Sequence, residues 1–366
     1  MDPDDLPTRL PWQKRPGDWV GKLRQRMASG EAPGHHGRHF VPVGVVTDSA
    51  AALPLDWVQA HSRYLRVVPM PVMIDTQIFS EGTDDVPTEL ALGLAMGQSV
   101  RTSRPAPGQM LRAYQELAGA GCKHIISIHL SGALSGTVEA ARLGARQSPV
   151  PVTVIDSLTV ALAEGFAVMD VLEAANAGAS VEELALLAGR AAENHVYFAV
   201  PSLEQLRRGG RIGAVASMLG TLLNVKPILS VCDGHIVATE KIRSHARTLA
   251  RLVAIAREEA AVRGPEAKLA VHYFGNEAAA REIVDELSGV SSTEVLSVPV
   301  PAVLGAHTGA GVLAVAISGG TAPPPPVASK PEPKTRPAPV RREPKAKRGD
   351  IPAAGAPPEV QVGETE

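Results

Sequence analysis

The 366-residue sequence contains only two cysteines, Cys122 and Cys232, and neither stands in a CxxC or CxxH context. A disulfide framework and the common thiolate zinc sites are thereby excluded, and two unassisted thiols fit a reducing compartment. No apolar run approaches the roughly 18 residues of a membrane-spanning helix. Met1 is followed by Asp2, Pro3 and Asp4 rather than by a basic stretch and an apolar run. No secretory signal or transmembrane segment is read, and the expected compartment is the cytoplasm. Two nucleotide-binding loops, GxxxxGKS/T and GxGxxG, and the nucleophile elbow GxSxG are also missing. No internal repeat is visible.

Large apolar residues are scarce at both ends. Residues 1–40 and 319–366 are rich in Pro, Lys, Arg and acidic residues, and neither builds a core, so both are expected to be disordered. Within the first, WVGKLRQRM has the makings of one short basic helix. Residues 1–40 and 320–366 together hold 15 of the 36 basic and 11 of the 38 acidic residues, leaving 21 against 27 between them. That acidic middle disfavours a nucleic-acid-binding face.

What is present between the ends alternates strand-like and helix-like runs. VPVGVVTDSAAALP (Val41–Pro54) reads as a strand stopping at Thr47-Asp48-Ser49, and RYLRVVPMPVMID (Arg63–Asp75) as a second strand. IISIHLSGALSGTVEAARLGA (Ile125–Ala145) is a strand, a loop of small residues and a helix. VRTSRPAPGQMLRAYQELAGAG (Val100–Gly121) reads as a polar loop before a helix. This half, 41–160, predicts a mainly parallel sheet covered by helices. The second half, 161–318, predicts an α+β domain. Ser180 and Glu183 form a capping box there, Asp233-Gly234 suits a tight hairpin, and AKLAVHYFG, TEVLSVPV and GVLAVAISG read as strands.

In open α/β sheets ligands gather beyond the C-terminal ends of parallel strands. Hydroxyls are placed there by Thr47-Asp48-Ser49, by Thr102-Ser103, and by Ser131, Ser135 and Thr137. Each group alone is ordinary helix capping; together they point to a polar pocket for an anion, with backbone N–H groups of the Ser131–Gly136 loop as donors. Cationic groups come from LEQLRRGGRIG, with Arg207, Arg208 and Arg211 around a glycine pair, and from GAHTGAG, with His307 and Thr308 before a strand.

Taken in order, VTDSAAALP, TSRPAPG, HLSGALSGT, VIDS, LRRGGRI, LLNVKPIL, DGHI, KIRS and GAHTGAG resemble the DegV family of bacterial fatty-acid-binding proteins over about Val41–Ser318. The resemblance implies a two-domain fold with one long-chain fatty acid between the domains and no cofactor. Its acyl chain would lie in an apolar tunnel. Its carboxylate would meet Thr102, Ser103, Ser131, Gly132, Ser135, His307 and Thr308, with Arg211, Arg243 and Arg104 at the pocket mouth or a partner surface. Asp48 and Ser49 belong to the motifs without an assigned role. FakB-like members of the family hand the carboxylate to a separate fatty acid kinase, which implies a carrier in phospholipid synthesis rather than a catalyst.

The chain departs from the family pattern in the run after IDS, where the usual Gly and Ser pattern is blurred in LTVALAEGFAV, and at three further positions. Gly132 stands where a second serine is frequent, Arg104 where an amide is usual, and Ala106 where a serine is usual. On this reading Gly132→Ser is expected to be tolerated and even to tighten binding. The alternative is a hydrolase or transferase on a lipid-like substrate, using Ser135 or Ser131 with His307 and with Asp48 or Asp156 as the orienting acid.

Overall fold

The computed structural model describes residues 42–81, 85–218 and 226–323. The expectations for residues 1–40 and for the tail beyond 323 lie outside the described residues. The chain opens with β1 (Val43–Asp48), whose Val-rich run is buried on both faces as parallel-sheet strands are. A 3-10 turn (Ser49–Ala51) and α1 (Leu55–Ala60) lead to β2 (Leu65–Val68). Next come β3 (Val72–Ile74), β4 (Gln77–Phe79), α2 (Val86–Ala95), β5 (Val100–Thr102) and α3 (Pro107–Gly119). The segments β6 (His124–His129), α4 (Thr137–Ala145) and β7 (Val152–Asp156) complete the first half.

Strands β1, β2, β6 and β7 form an all-parallel sheet in the order β2-β1-β6-β7. The expected second strand is in fact two strands in two sheets. Pro69 and Pro71 flank Met70, and a residue without an N–H cannot continue a ladder, so the chain leaves the parallel sheet there. It then enters a small antiparallel sheet, β4-β3-β5. The run Val100–Thr102, read from sequence as part of a loop, is the third strand of that sheet, with Thr102 opposite Val72. Nothing local marks so short a strand; its partner supplies the order.

The second half runs α5 (Leu162–Asn176), α6 (Val181–Gly189), β8 (His195–Ala199), α7 (Glu204–Arg208), β9 (Lys226–Cys232), β10 (His235–Ile242), α8 (His245–Arg263), β11 (Lys268–Tyr273), α9 (Glu277–Leu287), β12 (Leu296–Pro299), α10 (Ala302–Thr308) and β13 (Leu313–Ser318). Six strands form one mixed sheet, β10-β9-β8-β13-β11-β12. The hairpin β9–β10 turns at Asp233 and Gly234 with φ of 47° and 80°, as the dipeptide predicts. The capping box also forms: Ser180 Oγ accepts from Glu183 N at 3.2 Å, and Glu183 Oε2 accepts from Ser180 N at 2.8 Å.

Alternation along the six strands divides two cores. Tyr197, Ile228, Leu269, Val271 and Val315 face α8 and α9. Val196, Phe198, Leu229, Ala270 and Ala314 face the other way, toward α5, α10 and the small sheet. Helix α5 is apolar on nearly every side because it is covered on nearly every side. It touches both large sheets: Thr47 Oγ1 at the end of β1 donates to Glu164 Oε1 at 3.1 Å, and Leu162 N donates to His272 Nε2 on β11 at 3.1 Å.

Candidate functional site

A cavity of about 430 Å3 lies between the segments leaving β2 and β6 and the inward face of the six-stranded sheet. Its walls are mostly aliphatic, with Val196 and Phe198 from β8, Val231 from β9, Ala314 from β13 and Val303 and Leu304 from α10. The size falls in the range of about 300–1,000 Å3 found for small-molecule sites. Thr102, Ser103, Arg104, Ser135, Arg211, His307 and Thr308 also line it, so most of the residues assigned to the head group from sequence do meet at one cavity.

His307 and Thr102 make the best-defined polar pair. His307 Nε2 lies 2.8 Å from Thr102 Oγ1, bringing together residues more than 200 positions apart. His307 Nδ1 is buried and has no hydrogen-bond partner among the described residues. A β-carbon on Gly209 would sit 2.1 Å from that nitrogen, so Nδ1 faces the Gly209 backbone, and glycine at 209 is required by close approach. A buried lone pair without a partner costs less than a buried N–H without one. The favoured tautomer therefore carries the proton on Nε2 and donates it to Thr102, leaving the threonine O–H to donate into the cavity. Burial, with the Arg211 charge nearby, pulls the His307 pKa down to about 4, so the ring is neutral at pH 7.

Arg211 acts as a strap. Its Nε donates to Leu134 O at 3.0 Å and its Nη1 to Gly209 O at 2.7 Å, tying the loop after β6 to the turn after α7. A second, more polar recess of about 330 Å3 shares Leu134, Ser135, Gly136, Arg211 and Ile236 with the larger cavity. Arg104 is exposed at the same side, its Nη1 3.5 Å from Gly136 O. The remaining hydroxyls are partly committed: Thr308 Oγ1 donates to Leu304 O at 3.0 Å, Ser103 Oγ to Arg104 O at 3.2 Å, and Ser135 Oγ pairs with Thr137 Oγ1 at 2.8 Å.

The other assigned residues do not line the larger cavity, although Gly132 lines the polar recess beside it. Ser131 is fully buried; its Oγ donates to Gly234 O at 2.8 Å and accepts from Ala133 N at 3.2 Å. Gly132 N points at both oxygens of Asp156, each at 3.1 Å, and Leu158 N donates to the same carboxylate at 3.0 Å. The anion held at this N–H is thus the protein's own Asp156. A β-carbon on Gly132 would stand 2.6 Å from Asp156 Oδ2, so the end of that carboxylate has to shift before a serine fits. Arg243, just past β10, is exposed and lines neither cavity.

A sequence model described as "Uncharacterised protein, DegV family" matches residues 42–319. The chain belongs to the DegV family. A DegV domain-containing protein of Streptomyces coelicolor is 40% identical over 281 residues, covering 75% of this chain and 98% of its own. One from Mycobacterium bovis is 34% identical over 286 residues, covering 77% and 99%. Among solved structures, a DegV family protein from Thermus thermophilus, described by its fatty acid binding, superposes with a TM-score of 0.71 at 33% identity, covering 76% of this chain and 100% of that one. DegV of Bacillus subtilis, described as a fatty acid binding protein, gives 0.68 at 29% identity, covering 76% and 99%.

In this DegV-family chain the motif residues Asp48 and Ser49 face inward. Asp48 is fully buried and accepts from Ala50 N at 3.0 Å and Leu130 N at 3.2 Å, with Oδ2 2.9 Å from His129 Nδ1. His129 Nε2 is 2.7 Å from Ser127 Oγ, which meets Tyr114 Oη at 2.9 Å. Asp48, His129 and Ser127 have hydrolase-like spacing, yet all three are fully buried, and Tyr114 caps the serine. The same burial raises the tyrosine's pKa to about 12. The chain stitches β1, β6 and α3 together. The rival catalytic set does not assemble: His307 pairs with Thr102, Asp48 with His129, and Asp156 with Gly132.

Sequence reading passed over His272, Glu81 and Glu164. His272 lines the cavity, with Nδ1 3.1 Å from Val298 O and Nε2 accepting from Leu162 N, and burial lowers its pKa to about 4. Glu164 is fully buried; burial first, then Asp48, pushes its pKa well above the usual carboxylate range. The only signal for His272 was a histidine inside an apolar strand run, which is more often a core residue. Among the described residues no helix is long and apolar enough to cross a membrane, and no group of potential ligands is placed to hold a metal ion.

Proposed function

We propose that the cavity holds one long-chain fatty acid, with its acyl chain along the aliphatic walls and its carboxylate at the Thr102–His307 corner. The observation that carries this reading is the joining of a mostly aliphatic cavity to one polar corner containing a neutral histidine, a hydroxyl donor and Arg211. The fatty acid binding described for the Thermus thermophilus and Bacillus subtilis relatives supports it. Burial contributes about 0.8 kcal/mol per methylene, so a long chain brings on the order of 10 kcal/mol before the costs of association. The corner contributes orientation: an anion there accepts hydrogen bonds with charge assistance from Arg211.

On this reading the protein is a carrier in the cytoplasm. It presents the carboxylate to a separate fatty acid kinase, which moves the γ-phosphoryl group of ATP onto a carboxylate oxygen and releases ADP and an acyl phosphate for phospholipid synthesis. Native mass spectrometry of the freshly purified full chain tests the carrier. A co-purified mass of a fatty acid of roughly 14 to 20 carbons is expected; an empty protein that hydrolyses acyl esters would overturn it.

A further inference from the structure

The short helix α10 carries His307 and Thr308 and supplies Val303 and Leu304 to the cavity. Seven residues give it two turns, so whatever holds its first residue sets the direction of the last. Pro301 precedes it and offers no side-chain cap. The first N–H group is met by a carboxyl group from a distant part of the chain: Glu81 Oε1 accepts from Ala302 N, and Val303 N lies close to the same carboxyl group. Negative charge at a helix N-terminus is favourable, and these N–H groups have no partner within the helix.

Glu81 lies beside the first sheet. Its carboxyl group is close to the Ser49 hydroxyl, and Ser49 Oγ accepts from Met70 N at 3.1 Å. Ser49 follows β1, and Met70, beyond β2, lines the cavity. Ser49 and Glu81 therefore lie side by side between one wall of the cavity, where Met70 N bonds Ser49, and the helix that forms the opposite wall, where Ala302 N bonds Glu81. Neither Ser49 nor Glu81 lines the cavity where a ligand would sit.

We propose that Glu81, beside Ser49, is a positioning residue for the head-group corner: it fixes the start of α10 and through it the placement of His307 against Thr102. This assigns a role to Ser49 within the Asp48-Ser49 motif and rests on the reading of His307 as a head-group residue. Glu81 acts through the helix. Its loss affects recognition of a carboxylate more than the holding of an alkyl chain.

The test uses full-length Glu81→Ala, Glu81→Gln and Ser49→Ala with palmitate and 1-hexadecanol as probes, and follows the His307 Cε1–H resonance by NMR without ligand. In Glu81→Ala, palmitate affinity is expected to fall about tenfold and hexadecanol affinity less than about twofold. In the same variant the His307 resonance moves, and its pKa rises from about 4 toward the ordinary value. Glu81→Gln keeps an acceptor for Ala302 N and restores most of both properties; Ser49→Ala lies between. Equal weakening of both probes with an unmoved His307 resonance, or no change in either, overturns the proposal. If Glu81→Ala fails to fold, the ordering of Glu81→Gln and Ser49→Ala decides. If the wild type does not prefer palmitate, the fatty acid reading fails, while the His307 resonance still judges Glu81.

Discussion

The loop Ser131–Gly136 and the corner formed by Thr102 and His307 present the same residue types in sequence, hydroxyls and glycines beside strands, yet they use them differently. In the loop, Ser131 Oγ is taken by Gly234 O and Gly132 N by Asp156. At the corner, the histidine is turned so that Thr102 keeps an O–H toward the cavity, while Gly209 makes room for the ring. The loop is satisfied by the protein and gives shape; the corner retains hydrogen-bonding capacity and gives chemistry. The difference lies in whether a buried partner is already present, which residue type does not reveal.

The largest expected effect tests whether both regions serve one cavity. Ala314 lies on its β13 wall, and Ala314→Trp fills the space. Excluding about four methylenes at about 0.8 kcal/mol each weakens palmitate and hexadecanol binding alike, by more than about 100-fold in calorimetric titration, with an unchanged circular dichroism spectrum. Retained binding would place the acyl chain elsewhere.

Acid separates the cavity side from the rest of the molecule. Burial holds the pKa of His307 and of His272 at about 4, below the ordinary value of 6.5 that applies in the unfolded chain. The unfolded state therefore takes up protons first as the pH falls. The stability contributed by each neutral ring, up to about 3 kcal/mol, is present above pH 6.5 and lost between about 6.5 and 4. Urea unfolding across that window should show the loss, and His307→Asn should flatten part of the slope. An unchanged slope would mean that His307 is not held neutral.

Gly132→Ser probes the loop. Its β-carbon meets Asp156 Oδ2, so the carboxylate must turn and disturb the bonds it accepts from Gly132 N and Leu158 N. The variant should lose about 1–3 kcal/mol of stability, read as a lower melting temperature, and gain no affinity for palmitate. Tighter binding would return this loop to the head-group site. Thr102→Val gives about tenfold weaker palmitate binding and a hexadecanol affinity within about twofold, with a modestly lower melting temperature because His307 Nε2–H loses its acceptor.

Much of this fold was legible because local signals agreed with it. The Val-rich run at 43–48, the capping box at Ser180 and Glu183, and the Asp233-Gly234 turn all formed as read. The small sheet was not legible, since Val100–Thr102 is ordered by Val72 and its neighbours across more than 25 residues. At the site, residue type, position beside strand ends and the family resemblance together pointed to Thr102, Ser103, Ser135, His307 and Thr308, which line one cavity. They were silent on hydrogen-bond partners. Asp156 beneath Gly132, His129 beside Asp48 and Glu81 at the start of α10 are all long-range pairings that no spacing encodes.

A crystal structure of the full-length protein with palmitate tests the central claim most directly. The account predicts acyl density along Val196, Phe198 and Ala314, with the carboxylate within hydrogen-bond distance of Thr102 Oγ1 and close to His307 and Arg211. A carboxylate bound instead at Gly132 N with Asp156 displaced, or density that leaves this cavity empty, would contradict it.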